Sequence, residues 1–185
     1  MKQLGFYFDQ TQCTGCHTCS VACKDWHDIK AGSENWMRIT ANEKGKFPNI
    51  SLTYLAVACN HCADPPCIKV CPTQAIIKRD SDGIVLVDQK KCLGKRVCGA
   101  KCLKACPYDA PQFSSEDAKM SKCDLCYDRL EQGQQTICVE ACPMYALDVD
   151  TIDELHKKYG TNADIHGFRY NVKIKPSVVY KTRIT

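Results

Sequence analysis

Two short apolar runs near the middle of the chain flank a turn signal. Residues 75–78 and 84–88 are mainly apolar, and Asp82-Gly83 lies between them. An Asp-Gly pair between two apolar runs is a strong hairpin signal, because glycine readily adopts positive φ. The pattern therefore predicts two paired strands within residues 75–88.

Two further strand-like runs lie far apart, at Leu4–Asp9 and at residues 145–149. The first run leads into the cysteines at 13–23, and no strand-like run directly follows those cysteines. The second run follows the cysteines at 123–142, and only the short stretch 119–122 precedes them. The simplest arrangement pairs these two runs with each other. We therefore expect the N-terminus to fold back onto the segment that ends near residue 150.

Residues 151–185 form the last segment. Residues 153–160 have the pattern of a short helix closed by Gly160. The remainder is basic and β-branched, without a core of its own. We predict a C-terminal arm at 151–185 that lies along a partner subunit, with a disordered end as the alternative.

Cysteine is the residue type that points to chemistry, since all 16 cysteines fall into consecutive quartets. The quartets are Cys13, Cys16, Cys19 and Cys23; Cys59, Cys62, Cys67 and Cys71; Cys92, Cys98, Cys102 and Cys106; and Cys123, Cys126, Cys138 and Cys142. The last three end in Cys-Pro, and runs of this kind supply thiolates to [4Fe–4S] clusters. The sequence therefore predicts four [4Fe–4S] clusters.

The strand pattern also predicts which cysteines share a cluster. In two-cluster ferredoxins the fourth cysteine of a run ligates the other cluster of the pair. The predicted ligand sets are Cys13, Cys16, Cys19 and Cys142 (cluster 1); Cys123, Cys126, Cys138 and Cys23 (cluster 2); Cys59, Cys62, Cys67 and Cys106 (cluster 3); and Cys92, Cys98, Cys102 and Cys71 (cluster 4). No residue is predicted to be catalytic.

The predicted fold class is α+β, with two bacterial-type ferredoxin modules, each for two [4Fe–4S] clusters, one inserted in the other. The outer module combines residues 1–25 and 114–150, and the inner module is 55–113. Residues 26–54 are a loop-rich insertion expected to dock a partner, and 151–185 are the C-terminal arm.

Other interpretations of the cysteines remain open at this point. The third quartet has gaps of 5, 3 and 3 residues, so residues 94–97 must bulge out, and a three-iron centre is an alternative there. Structural zinc is bound by two C-x-x-C pairs per ion. Three cysteines within seven residues, as at 13–19, fit a [4Fe–4S] cluster better than such a zinc site. A disulfide framework needs an export signal, and we expect no such signal in this sequence.

The charge distribution argues against a nucleic-acid partner. The net charge is +4; residues 151–185 contribute 7 − 3 = +4, and the cysteine-rich body balances at 18 − 18 = 0. Thiolate-bound clusters are anionic, so lysines beside the quartets are candidates to offset that charge, solvated surface lysines being the alternative. They are Lys24, Lys69, Lys91, Lys101, Lys104 and Lys122.

A few other residues near the quartets are candidates for a role. His17, His27 and His61 could be ligands or proton-coupled groups, although backbone amides are better candidates to hydrogen-bond cluster sulfurs. Trp26 and Trp36 could face a partner or pack the insertion internally. Tyr108 is expected to shield a cluster from water.

Several segments together resemble a known family. These are residues 5–9 with Cys13-Thr14-Gly15-Cys16, and residues 59–67, 106–111 and 122–129. They are similar to the iron–sulfur (beta) subunit of the dimethyl sulfoxide reductase family of molybdenum and tungsten bis-pterin oxidoreductases, over about residues 3–150. Relatives with tryptophan in the third quartet exist, whereas here no ligand position is tryptophan.

The resemblance implies an electron-transfer subunit that is not catalytic alone. It would relay electrons between a catalytic subunit, which holds the molybdenum or tungsten bis-pterin, and a quinone-linked membrane subunit or soluble carrier. Alternatives are a polyferredoxin of a tungsten aldehyde oxidoreductase or other dehydrogenase, a free soluble polyferredoxin, and a zinc-stabilised module. No apolar run approaches 18 residues, so we expect no membrane span. A cytoplasmic location is favoured, with co-export on a signal-bearing partner as the alternative.

Overall fold

The computed structural model describes residues 2–183; Met1 of the predicted outer module and Ile184 and Thr185 of the predicted arm lie outside the described residues. The helices are α1 (Thr18–Trp26), α2 (Pro66–Lys69), α3 (Lys95–Cys98), α4 (Lys101–Ala105), α5 (Tyr127–Glu131), α6 (Ile137–Glu140) and α7 (Ile152–Tyr159). The strands are β1 (Leu4–Asp9), β2 (Arg38–Lys46), β3 (Asn49–Val57), β4 (Ile76–Lys78), β5 (Val85–Val87), β6 (Gln112–Phe113), β7 (Met120–Ser121), β8 (Leu147–Thr151) and β9 (Val178–Lys181).

The largest sheet has the order β8-β1-β9. Strand β1 pairs antiparallel with β8, with Leu4 opposite Thr151 and Phe8 opposite Leu147. The predicted pairing of the N-terminal run with the run after the fourth quartet is therefore confirmed. Strand β8 begins two residues later than the pattern indicates, because Tyr145 has φ 51° and turns the chain out of the preceding cysteine loop.

The C-terminal segment folds against its own chain. Strand β9 pairs parallel with β1, and Val178, Val179 and Tyr180 are buried there. Ile165 and Phe168 join the same core. Among its described residues, the tail therefore has no separate core, and its apolar residues join the core of the same chain instead; its position along a partner subunit stays a prediction. Its β-branched residues supply a third sheet strand, and this strand covers the otherwise open edge of β1.

Helix α7 matches the helix predicted at 153–160. The Thr151 hydroxyl accepts a hydrogen bond from the Glu154 amide at 3.3 Å, and Gly160 follows the last turn. Leu155 is fully buried against Tyr7 and Val179. The helix therefore locks β1 and β9 together from one face of the sheet.

The central hairpin is confirmed, since β4 and β5 pair antiparallel. Gly83 has φ 74° in the connecting turn, and the Arg79 guanidinium bridges Asp82 at 3.2 Å. The hairpin brings Ile76 and Val85 into a second apolar core that also contains Cys67 and Cys102. It thereby places apolar side chains beside the cysteines of the second and third quartets.

The insertion is more regular than predicted. Strands β2 and β3 form a hairpin of two nine-residue strands, so the expectation of a loop-rich segment is wrong from Arg38 onward. The β2 sequence mixes Asn, Glu, Lys and Gly, residues that are depleted in strands, and this composition hides the strand. Leu55 on β3 is buried in the main core, whereas Phe47 at the hairpin tip is exposed. Among the described residues, no helix is long and apolar enough to cross a membrane.

Candidate metal centres

Three cavities are each lined by four cysteines. The lining cysteines are Cys13, Cys16, Cys19 and Cys142 in the first cavity; Cys71, Cys92, Cys98 and Cys102 in the second; and Cys59, Cys62, Cys67 and Cys106 in the third. Each cavity thus takes three cysteines from one quartet and one from a distant quartet.

The remaining four cysteines form a fourth, more buried group. Cys23, Cys123, Cys126 and Cys138 are all buried. Burial raises the pKa of Cys23, and the neighbouring Cys138 and Cys126 thiols raise it further. Burial also raises the pKa of Cys123 well above its ordinary value, with Cys23 as the largest contribution from a neighbouring group. The four sulfurs are therefore close enough to interact, and no disulfide bond joins any of the 16 cysteines within residues 2–183.

Short helices explain why one quartet serves two groups. On α1, Cys19 and Cys23 are one helical turn apart; Cys19 lines the first cavity, and Cys23 belongs to the fourth group. Helix α1 packs against α6, which carries Cys138, and Cys142 follows two residues after α6 ends. Each of the two packed helices, with the residues that follow it, therefore supplies cysteines to both neighbouring groups.

The stretched third quartet still places three of its thiols on one cavity, together with Cys71. Residues 95–98 form the single turn α3, which begins after Gly94 at φ 78°. The Lys95 amide donates to the Ala118 carbonyl at 2.8 Å, and Val97 points to solvent with 70% of its surface exposed. The extra residues are thus accommodated as a surface turn, and Cys98 still reaches the cavity.

Backbone amides point at several cysteine sulfurs. The N–H of Ala75 donates to Cys71 Sγ at 3.3 Å, and the N–H of Ala146 donates to Cys142 Sγ at 3.4 Å. Similar contacts at 3.4 Å run from Met120 to Cys92 and from Leu125 to Cys123. Such donors favour the thiolate, the form that binds metal.

The balance of burial and hydrogen bonding differs between thiols. Burial raises the pKa of Cys19 to about 12. At Cys71 burial also acts to raise the pKa, but hydrogen bonds from Thr73, Ala75 and Ile76 together outweigh it, and the pKa is lowered. Grouped, mostly buried thiols of this kind ionise together only when a cation neutralises them.

The donor sets fit a multi-atom cluster better than a single ion. Four thiolates around one zinc each lie about 2.3 Å from it, which requires their sulfurs to lie close together. Among the described residues, no three cysteines of one set have sulfurs that all lie within 4.8 Å of one another. A [4Fe–4S] cluster takes the same four thiolates and carries eight core atoms of its own. The geometry therefore favours clusters over zinc.

The predicted histidines and tryptophans have distinct places. His17 lines the first cavity, while His27 Nε2 lies 3.4 Å from Cys126 Sγ and 3.6 Å from Asp124. Trp36 is partly buried against the main core, and its indole N–H donates to Ser121 Oγ at 2.7 Å. Trp26 is 42% exposed beside the Arg129 guanidinium, so only this tryptophan of the pair keeps a large free surface.

Tyr108 lines the cavity of Cys59, where it was expected to shield a cluster. Its ring stacks on Phe168 at 4.5 Å, and its hydroxyl donates to the Arg169 carbonyl at 3.1 Å. No local pattern pointed to Phe168, which arrives from the tail. Arg38 was also missed: its guanidinium donates to the Tyr108 carbonyl at 2.7 Å from the insertion hairpin.

Most of the lysines predicted to offset cluster charge are surface residues. Lys69 pairs with Asp64 at 2.7 Å, and Lys91 lies 3.9 Å from Asp88. Lys122 differs, because it is only 3% exposed. Lys78 was not predicted, but its ammonium donates to the carbonyls of Cys62 and Ala63 at 2.9 and 2.8 Å.

Comparison with known proteins agrees with this donor set. Residues 50–152 match a family described as a 4Fe-4S dicluster domain, and residues 12–76 match a second family with the same description. Over 191 residues the sequence is 47% identical to a subunit of the anaerobic dimethyl sulfoxide reductase of Haemophilus influenzae, covering 98% of this protein and 90% of the relative. This chain is a member of the dimethyl sulfoxide reductase iron–sulfur subunit family.

Other members show how broad this family is. The corresponding polypeptide of the Escherichia coli anaerobic dimethyl sulfoxide reductase is 43% identical, covering 95% of this protein and 89% of the relative. A sulfite dehydrogenase subunit of Allochromatium vinosum is 37% identical, covering 79% and 68%. As a member of this family, the chain is an iron–sulfur electron-transfer subunit of an oxidoreductase complex and is not catalytic alone.

Gly15→Ala is expected to disrupt the first cavity selectively. A Cβ at Gly15 would lie 2.3 Å from the Tyr54 ring, and Gly15 has φ 70° between Cys13 and Cys16. The clash would push the two cysteines apart, so we expect loss of up to about four irons per chain, measured by iron analysis and electron paramagnetic resonance (EPR). Gly133→Ala is the matched control, since Gly133 has φ 75° but nothing within 4 Å of a Cβ. Equal iron loss in both variants would contradict the prediction.

Proposed function

We propose that the chain holds four [4Fe–4S] clusters through its 16 cysteines and relays electrons for a molybdenum or tungsten pterin subunit. The single observation that carries this proposal is the grouping of the cysteines into four sets of four, each drawn from two quartets. The sets have the same members as the predicted clusters 1 to 4, and three of the sets line separate cavities. When bound, such clusters accept and release single electrons.

The nested arrangement of two ferredoxin modules is part of the same proposal. Pairing of β1 with β8 supports an outer module of 1–25 and 114–150. The two cavities shared by the second and third quartets support an inner module at 55–113. The short β6–β7 ladder joins residues on either side of the boundary at 113/114, so the modules are in direct contact there.

This chain's own residues hold the centres and exclude water from them. Backbone amides orient the thiolates, and the apolar cores around Val85 and Leu125 limit solvent access. Solvent exposure and hydrogen bonds to sulfur are two of the factors that set cluster potentials. Differences in burial, from exposed Cys16 to buried Cys123, therefore give the four centres unequal surroundings.

The partner we propose is the catalytic subunit that carries the pterin. Relatives at 43–47% identity are named as polypeptides of anaerobic dimethyl sulfoxide reductases, whereas the selenate and chlorate reductase subunits are only 28% and 29% identical. Dimethyl sulfoxide is therefore the first substrate to test. A quinone-linked membrane subunit is the proposed electron donor, and a cytoplasmic location is proposed, to be checked by cell fractionation.

The test is a substrate-dependent reoxidation. The purified complex is reduced anaerobically with a stoichiometric amount of dithionite, and the visible absorbance of the iron–sulfur centres is followed after substrate is added. We expect reoxidation with dimethyl sulfoxide and none with buffer. No reoxidation by dimethyl sulfoxide, selenate or chlorate, in a complex with its full iron and pterin content, would overturn the proposed relay.

A further inference from the structure

Lys122 is a buried cation without an acidic partner. Its ammonium donates to the carbonyl oxygens of Cys123, at 2.9 Å, and of Val85. Throughout residues 2–183, no ion pair joins it to a carboxylate. Burying a charge is costly unless something of opposite sign compensates it. A countercharge is therefore needed next to Lys122.

The position of Lys122 shows where that countercharge belongs. Lys122 lines the cavity of Cys59, Cys62, Cys67 and Cys106. The next residue, Cys123, belongs to the fourth cysteine group, and Cys59 is close enough to Cys123 to contribute to the rise of its pKa. Lys122 thus stands where a centre of the inner module approaches a centre of the outer module.

The lysine is also held rigidly. The Val85 carbonyl accepts from Lys122, and the Val85 amide donates to Nδ1 of the buried His61 at 3.0 Å. Because Nδ1 accepts, His61 is neutral with its proton on Nε2. The ammonium is therefore anchored to strand β5 and cannot swing out to solvent without breaking this contact. Lys69, by contrast, is exposed and pairs with a surface carboxylate, that of Asp64.

We propose that Lys122 is a potential-setting residue: its buried ammonium raises the reduction potential of the centre held by Cys59, Cys62, Cys67 and Cys106. The inference rests on the proposed function. One-electron reduction adds one negative charge to a thiolate-bound cluster, and a nearby positive charge in a poorly solvated site stabilises that reduced form. The lysine therefore makes this centre, at the junction of the two modules, easier to reduce.

The test is an EPR-monitored redox titration of the intact complex. Lys122→Gln removes the charge but keeps an N–H donor for the two carbonyls. We expect the equilibrium constant for one-electron reduction of this centre to fall about tenfold or more, which is about 59 mV for one electron. Lys69→Gln is the matched control, because it removes an exposed lysine beside the same quartet, and its midpoint should match wild type.

Each outcome decides the inference. A fully loaded Lys122→Gln complex with an unchanged midpoint overturns it. If Lys122→Gln loses iron, the Lys122→Arg variant, which keeps the positive charge, decides. Full iron loading with a wild-type midpoint potential in Lys122→Arg supports the proposed role of the charge. Iron loss in both variants overturns the inference, because Lys122 would then have a purely structural role. Failure of the proposed function itself is distinguishable, because it is read from the wild-type complex alone: that complex would lack iron, or its iron–sulfur centres would not be reoxidised by substrate.

Discussion

Removal of iron is expected to unfold most of the chain. Half of the cysteines are buried in the cores, and cluster binding supplies folding energy, since such sites do not exist in the unfolded chain. A whole domain is stable by only about 5–15 kcal/mol, and the two larger apolar cores of this chain are built partly from the cysteine side chains themselves. Without the clusters these cores lose the binding energy that holds the cysteine segments in place.

This loss of structure is measured by far-UV circular dichroism and amide hydrogen exchange after anaerobic treatment with an iron chelator. Protection of the β1 amides should disappear, although β1 lies in the centre of its sheet. The control is the same chelator already saturated with iron. An iron-free chain that keeps β1 protected would contradict the expectation and show that the polypeptide folds without its clusters.

Cys142→Ser is expected to damage the centre of the first quartet rather than that of its own quartet. Cys142 lines the cavity of Cys13, Cys16 and Cys19, which lie more than a hundred residues away in sequence. Replacing its thiolate should remove between about one and four irons per chain, and one EPR signal should change or vanish. Low-temperature EPR of the reduced and oxidised protein, with iron analysis, measures both effects.

The matched control for this substitution is Cys138→Ser. Cys138 lies four residues earlier in the same quartet but belongs to the group with Cys23 and Cys126. The two variants should therefore lose different EPR signals. If both changed the same signal, the exchange of cysteines between quartets would be wrong, and each quartet would serve a single cluster.

Local chemistry explains why much of the candidate site was predictable. A cysteine quartet is a local pattern, and the rule for two-cluster ferredoxins assigns its last cysteine to the other cluster of the pair. In the structure, helix α1 carries Cys19 and Cys23 one turn apart. The pairing of β1 with β8 was also predictable, because each strand-like run lacks a neighbour in sequence. Those two observations are enough to place distant quartets next to each other.

The parts that were not predicted depend on contacts from far along the chain. Strand β2 is polar, and its β conformation depends on pairing with β3. The tail shows only scattered apolar residues, and its burial depends on β1 offering an open edge to Val178 and Val179. Lys122 was one of six equivalent candidates in sequence, and only the fold shows that it is the buried one. Tertiary context decides such cases, whereas local pattern does not.

The central claim is that four clusters occupy the four cysteine groups. Its most direct test is the count of iron, acid-labile sulfide and zinc per chain in protein purified anaerobically with its catalytic partner, together with quantitative EPR. The expected result is about sixteen irons and about sixteen sulfides per chain, with four interacting paramagnetic centres after full reduction. Zinc in place of iron, or about eight irons in protein of full occupancy, would contradict the account.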